Sequence, residues 1–348
     1  MLVLGIETTC DESAASLVTN GKNVLSNVVA SQIKEHRPWM GVVPEIASRL
    51  HLEKIGEIIN EALTIAQKKI YQVDLIAVAN RPGLIGGLAI GTSIAKGISY
   101  INDIPLIGVN HIEAHLYSPN LTSDINFPYI GLLVSGGHTL IVKATSFTTY
   151  EILGTTIDDA AGEAFDKIAK HYNMGYPGGP AVEKLAKSGD SSAFNFPISN
   201  LYKSNRRYDL SYSGIKTAVI NHLEKYKQKD NYTINDIAAS FQKRAFDAII
   251  KKTILAAKDN DIKTIVVAGG VSANQELRRM FNEIKDVSVF FPELKYATDN
   301  GAMIAGYGYH KYLEKGADNC DMSIYPRVES FKISLSEINL PIKGSYKT

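Results

Sequence analysis

Two histidines one helical turn apart, His111 and His115 in His111-Ile112-Glu113-Ala114-His115, can point the same way and share a metal ion. In the zinc-protease motif a general-base glutamate directly follows the first histidine, as His-Glu-x-x-His. Here Glu113 comes one residue later. A side chain two positions on is rotated by about 200° around the helix, so Glu113 is expected to face away from a metal held by the pair. That disfavours peptide hydrolysis. Near the other end of the chain, Asp299 in Ala297-Thr298-Asp299-Asn300-Gly301-Ala302 precedes a helix of small residues and is the candidate third ligand. Two imidazoles and one carboxylate leave positions open on Fe(II) or Zn(II), as in a reactive rather than a closed structural site. Taken alone, the pair reads equally well as two histidines bonded to carbonyls or water.

Three further segments carry groups suited to a nucleotide. Thr264 to Asn274 is a buried strand running into Gly269-Gly270, with Ser272 expected to cap the helix that follows. Glycine has no Cβ, so a flat base can approach the backbone, although a tight helix-sheet packing turn explains the pair as well. Ser135-Gly136-Gly137-His138 joins two strand-like runs, Tyr129 to Val134 and Thr139 to Lys143, and its amides could meet phosphates. In Asp158 to Lys167, Asp159, Glu163 and Asp166 fall at i, i+4 and i+7, which predicts one carboxylate face on a helix. Asp166 could accept hydrogen bonds from ribose hydroxyls while Gly178-Gly179-Pro180 lies against the sugar; a solvated acidic stripe is the alternative. The chain has no P-loop and no convincing dinucleotide-binding glycine motif.

The elements that must position these groups alternate between apolar strands and helices, which argues α/β architecture. Leu2 to Ile6, the polar turn Glu7 to Glu12 and Ala14 to Val18 form a hairpin-like opening, and the runs around Ser135 to His138 repeat it. The recurrence predicts a duplicated architecture of two lobes, 1–125 and 126–325, with a loop-like boundary near residues 119 to 128 and a tail, 326–348, of no assigned role. Helices are expected over roughly Pro44 to Gln67, Gly91 to Ile101 and the histidine segment; beyond Met322 no periodicity is evident. A chain of 348 residues with 45% hydrophobic content can bury a sizeable core. No apolar run approaches the roughly 20 residues that span a bilayer and no signal sequence is evident, so no membrane association is expected and a cytoplasmic location is. Cys10 and Cys320 lack metal-binding or disulfide spacing, and Cys10 is expected to be a small buried side chain. At a formal net charge of +1, binding to nucleic acid would need local patches: Lys34, His36 and Arg37; Lys203, Arg206 and Arg207 with Tyr202 and Tyr208; or Lys251 and Lys252.

With these segments assembled, the chain resembles the universal tRNA N6-adenosine threonylcarbamoyltransferase family, the TsaD type in bacteria, once described as glycoproteases. The likeness runs from about Leu2 to about Tyr309 and rests on Gly5 to Glu12, the His111/His115 segment, Leu133 to Thr139, Asp158 to Lys167, Tyr176 to Pro180, Ser211 to Thr217, Gly269 to Asn274 and Thr298 to Ala302, all in family order. It implies the fold of actin, sugar kinases and chaperone ATPases, with a nucleotide cleft between two lobes. It also implies that His111, His115 and Asp299 hold one divalent metal, Fe(2+) or Zn(2+), at the phosphate of threonylcarbamoyl-AMP. Leu133, Val134, Ser135, Gly136, Gly137, Asp166, Gly179 and Asn274, with Glu183 in addition, would line the nucleotide, the adenine near Asn274. Arg81-Pro82-Gly83 stands where the family usually has Gly-Pro-Gly, and Met40-Gly41 where it has Gly-Gly. Leu133 occupies the place of a metal-binding tyrosine in the archaeal and eukaryotic branch, so the likeness is to the bacterial branch, with one protein ligand fewer.

The implied reaction is acyl transfer: N6 of adenosine 37 in a tRNA that reads codons starting with A attacks the carbamoyl carbonyl of threonylcarbamoyl-AMP, and AMP leaves. The metal would act as a Lewis acid, and Asp11 or Glu12 would assist removal of the amine proton. The implied partners are tRNA, an inactive paralogue subunit and a small ATPase subunit, with a separate synthase supplying the adenylate. A small-molecule kinase of the same fold and a non-catalytic nucleotide-binding assembly subunit are the competing expectations.

Overall fold

Leu2–Glu7 is buried along its whole length, as a strand covered on both faces must be. The computed structural model describes residues 1–198, 206–226 and 233–327. The first part comprises β1 (Leu2–Glu7), β2 (Glu12–Thr19), β3 (Asn23–Ser31), α1 (Ile33–His36), α2 (Pro44–Ile65), β4 (Leu75–Arg81), α3 (Ile85–Asn102), β5 (Leu106–Asn110) and α4 (His111–Tyr117). The second comprises β6 (Tyr129–Val134), β7 (Thr139–Ala144), β8 (Tyr150–Thr155), α5 (Ala161–His171), α6 (Gly178–Ala186), α7 (Ser213–Tyr226), α8 (Ile234–Asp259), β9 (Thr264–Ala268), α9 (Gln275–Asn282), β10 (Ser288–Phe290) and α10 (Gly301–Lys315).

The first sheet has the order β3-β2-β1-β4-β5 and the second, read from its other edge, β8-β7-β6-β9-β10. In each, a hairpin pairs antiparallel (β1 with β2, β6 with β7), a third strand extends it antiparallel, and two strands add in parallel on the other side. The two sheets thus share one topology, and the duplication expected from the two hairpins is present. Strand alternation sorts the first sheet into two cores. Leu2, Leu4 and Ile6 pack with Ile55, Ile58 and Ile59 of α2. Val3 faces the opposite way, into a core shared by both sheets and filled by Ile112 and Leu116 of α4 and Met303, Ile304 and Tyr307 of α10. A third core, with Phe165, Phe241 and Phe246, covers the far side of the second sheet.

Helix α10 is the last of the second lobe in sequence, yet it lies on β1 and β2 of the first sheet. Gly5 makes this approach possible: a Cβ there would stand 2.1 Å from the Gly301 carbonyl and 2.6 Å from Ala305 N. The expected division at residue 125 follows the order of the chain, whereas the packing returns residues 301–315 to the first sheet. Asp299, two residues before α10, is carried with it.

The segment beyond α10 also packs on the first sheet, where no periodicity had indicated structure. Asp318 N donates to the Leu106 carbonyl, Tyr325 N to that of Asn80, and Lys96 Nζ to that of Met322. Asp318 Oδ2 accepts from the buried Gly108 N at 2.8 Å. Asp318→Ala strands that amide and is expected to cost about 1–3 kcal/mol, read as a lower urea midpoint at unchanged slope. Among the described residues no helix is long and apolar enough to cross a membrane.

Candidate active site

Asn110 ends β5 and caps α4, its side-chain oxygen accepting from Ile112 N at 2.9 Å. The cap fixes the first turn of α4 at the strand end, so His111 and His115 leave the helix on one side. Their rings lie 4.5 Å apart, nearly perpendicular. His115 Nε2 donates to Asp299 Oδ1 at 2.9 Å, and His111 Nε2 lies 3.6 Å from the same oxygen. One ligand atom from each of the three falls within 4.8 Å of the others. Asp299, from the far end of the chain, thus shares one place with the two histidines. Glu113 turns away from them and accepts from the Tyr307 hydroxyl inside the shared core.

The donor set suits a divalent cation. Metal–ligand distances of about 2.0–2.2 Å place tetrahedral donors roughly 3–4 Å apart, close to the spacing found. Burial opposes the charge on Asp299, but the His111 charge and the His115 hydrogen bond outweigh it and hold the carboxyl at about 2. Burial likewise works against the His111 charge, while Glu7 and Asp299 overcome it and raise the imidazole to about 9. Burial and the neighbouring His111 lower His115 instead. The three groups form a tight electrostatic unit in which protons occupy the places that a cation would take.

Two residues that sequence reading passed over hold this unit and the adjoining turn. Glu7, fully buried at the end of β1, takes His111 Nδ1 on Oε2 at 2.9 Å and Thr9 N on Oε1 at 2.6 Å. His51 on α2 donates through Nε2 to the Cys10 carbonyl at 2.9 Å and takes the Ser13 hydroxyl on Nδ1 at 2.7 Å. Only assembly of distant segments reveals either role, although a glutamate among apolar strand residues was a signal. Asp11 and Glu12 lie in the turn so braced. Burial first, then Asp299 and Asp11, push the Glu12 carboxyl well above its ordinary range. Cys10 is half-buried and unpaired as a disulfide; burial first, then Asp11, raises its thiol.

The second hairpin turn faces the same place. His138 feels His111, His115 and Asp299 and, chiefly through burial, is lowered to about 4. Leu133 and Val134 are buried, whereas Gly136 and Gly137 are exposed at the tip. Gly162 N, in the first turn of α5, donates to the Ser135 carbonyl and ties the start of that helix to the turn. Asp166 accepts from Gly178 N at 2.7 Å, and its carboxyl is raised by burial first and, among charges, by Asp11 of the first hairpin turn. Glu183 on α6 accepts from Gln275 N at 2.9 Å, bringing α6 to the start of α9, where Asn274 stands. Gly269, at φ +88°, lies flat against the Val134 carbonyl and joins this wall to the end of β6. Gly179, next to Gly178, completes the wall with open space where a Cβ would project.

Several expectations need correction. The cap of α9 is Asn274, accepting from Glu276 N and Leu277 N, because Ser272 is buried one short turn earlier with its hydroxyl unpartnered. Asn274 Nδ2 is also engaged, donating to Gln242 at 2.9 Å. Asp159 is not on the helix with Glu163 and Asp166, since α5 starts only at Ala161; it pairs with Lys167 and Lys216. Of the basic patches, His36 is buried against Gln32, and Arg207 and Tyr208 are bound to Asp259. Lys252 is buried and donates to the Arg207 carbonyl. Tyr202 and Lys203 lie outside the described residues.

Comparison with known proteins adds what geometry alone leaves open. The family model of tRNA N6-adenosine threonylcarbamoyltransferase matches residues 23–306. A protein of that name from Borrelia garinii subsp. bavariensis is 51% identical over 333 residues, covering 95% of this chain and 98% of the relative. Another from Treponema denticola is 51% identical over 317 residues, 91% and 94% of the two chains. Among solved structures, full-length HypF in its phosphate- and nucleotide-bound form aligns with a TM-score of 0.60 at 15% identity, over 91% of this chain and 56% of that one. Component A of the (R)-2-hydroxyglutaryl-CoA dehydratase of Acidaminococcus fermentans aligns at 0.54 and 17% identity, over 90% and 99%. At these identities the two structures speak for the duplicated actin-like ATPase fold, while the sequence matches reach further: the chain belongs to the tRNA N6-adenosine threonylcarbamoyltransferase family.

Proposed function

We propose that the chain transfers the threonylcarbamoyl group from threonylcarbamoyl-AMP to N6 of adenosine 37 in tRNAs that read codons starting with A, releasing AMP. The observation that carries this reading is the meeting of His111, His115 and Asp299 beside both hairpin turns, in a chain of this family. A kinase of the same fold has no need of such a triad, and the relatives carry a transferase name.

In the reaction, the N6 nitrogen forms a bond to the carbamoyl carbon, the carbon–oxygen bond to the phosphate breaks, and AMP departs with the electron pair. The exposed Gly136-Gly137 tip supplies amide dipoles for the phosphate. Asp166 and the Gly178-Gly179 backbone would face the ribose, with Glu183 and Asn274 beyond them. Asp11 or Glu12, neighbours in the turn that His51 braces, would take the proton that N6 loses. His111, His115 and Asp299 would hold an Fe(2+) or Zn(2+) ion, which would supply Lewis-acid stabilisation for charge on the leaving phosphate. Mass spectrometry of tRNA nucleosides after reconstitution with an inactive paralogue subunit, a small ATPase subunit and an adenylate synthase tests the whole reading. Absence of the modified nucleoside when the chain alone is omitted supports it, and its undiminished presence overturns it. Action on tRNA would place the protein in the cytoplasm.

The charge state of the site gives a second test. His111, raised to about 9, holds a proton at pH 7 that a cation must displace. Zn(2+) titration of metal-free protein in weak buffer at pH 7 should release about one proton per ion, and progressively less as pH passes 9. The stabilisation that His111 gives the metal-free fold is fully present below 6.5 and is lost as pH rises through about 9. That of Asp299 is present above 3.8 and is lost as pH falls through about 2.

A further inference from the structure

Among the described residues, Glu7 is the carboxylate bonded to His111 Nδ1, while Asp299 lies toward Nε2. Alternation along β1 delivers it: Val3 and Gly5 face α10 and the shared core, and Glu7 continues that face to the strand end, level with the start of α4. Its side chain has no exposure to solvent. A carboxylate so enclosed is costly unless donors surround it, and here each oxygen has one: Thr9 N at 2.6 Å on Oε1 and His111 Nδ1 at 2.9 Å on Oε2. Thr9 Oγ1 lies a further 3.2 Å from the same Nδ1.

We propose that Glu7 is the positioning residue of the metal site, fixing the Nδ1–H tautomer of His111 and so directing Nε2 toward Asp299. This rests on the metal-holding role read above for His111, His115 and Asp299. A carboxylate only accepts hydrogen bonds, so the ring nitrogen facing Glu7 must carry the proton, and the nitrogen left with a lone pair for a cation is Nε2. Since Glu7 also holds Thr9 N, the same side chain sets the ring against the hairpin turn that leads to Asp11 and Glu12. One buried group thereby ties the ligand to the turn.

Glu7→Gln keeps the shape but offers one acceptor and one donor to two donors. Either Thr9 N loses its partner, or His111 must accept at Nδ1 and carry its proton at Nε2, where the cation binds. Metal affinity should fall about 10- to 100-fold. The test is Zn(2+) affinity by chelator competition on wild type, Glu7→Gln and His111→Ala, with thermal unfolding of each metal-free protein alongside. The expected result is one His111-dependent Zn(2+) in wild type, weakened in Glu7→Gln by that factor when both are measured well below their unfolding midpoints. Equal affinity in wild type and Glu7→Gln overturns the role of Glu7 alone; absence of His111-dependent zinc in wild type overturns the metal site and Glu7 with it. If Glu7→Gln does not fold, nitrogen-15 NMR of zinc-loaded wild type decides: Nδ1–H on His111 supports the assignment, and zinc on Nδ1 overturns it.

Discussion

Replacing His111 by alanine is expected to lower threonylcarbamoyl transfer about 1,000-fold in the reconstituted system and also to lower the unfolding midpoint of the metal-free protein at pH 7, because the buried Glu7 carboxylate loses its imidazole partner. The activity figure follows from the several kcal/mol of charge stabilisation a cation supplies at a leaving phosphate, at about 1.4 kcal/mol per tenfold in rate. Two ligands remain in the variant, His115 and Asp299, but these already satisfy one another at 2.9 Å. With His111 gone the pair closes on itself, so the loss of metal should exceed what one missing donor in three would cause. The stability loss comes from the Glu7 and Asp299 interactions and not from packing, since α4 fills the shared core through Ile112, Ala114 and Leu116. Nucleoside analysis and bound metal, measured on the same preparation, separate the two effects. Full activity in a variant without bound metal would remove the cation from the reaction.

How far this site could be read before the fold was known depended on how local each signal was. The histidine pair is legible because i and i+4 share a helix face, and the backward turn of Glu113 follows from the same geometry. Both hairpins show as paired apolar runs around polar turns, and the duplicated topology follows from their recurrence. Glu7 and His51 act on segments far along the chain, through His111 and Cys10, and no spacing rule connects them. The Ser272 error has a similar origin: a short turn at Gly270–Ala273 delays the start of α9, and Asn274 takes the cap. The segment from Asp318 to Pro326 contributes mainly backbone bonds to β4, β5 and the Gly83 loop, so its order leaves no hydrophobic period to detect. Chain order also hid the return of α10 to the first sheet, which small residues permit.

That return supplies the second large expected effect. Gly5→Val should destabilise the protein by about 3 kcal/mol or more, at the upper end of overpacking costs, and should disturb the metal site beyond what that loss explains. The added Cβ would meet the Gly301 carbonyl, Ala305 N and Ala305 Cβ, at 2.1, 2.6 and 2.8 Å, all parts of α10 rather than the ends of flexible side chains. The strand cannot yield, since β1 pairs with β2 on one side and β4 on the other. Helix α10 must therefore move outward, and Asp299, fixed to it through the Asn300 cap on Met303 N, moves with it. His111 and His115 stay with β5 and α4, so the triad opens along the line that joins its two sources. A shift near 1 Å in such a group can cost about 100-fold in rate. Leu4→Ala provides the control, because Leu4 packs toward α2 on the opposite face and its loss, about 2–5 kcal/mol, leaves α10 in place. Measured well below both unfolding midpoints, Gly5→Val should bind Zn(2+) weakly and Leu4→Ala nearly as wild type. Equal zinc affinity in the two variants would show that close packing of α10 on β1 is a matter of stability alone and does not set the position of Asp299.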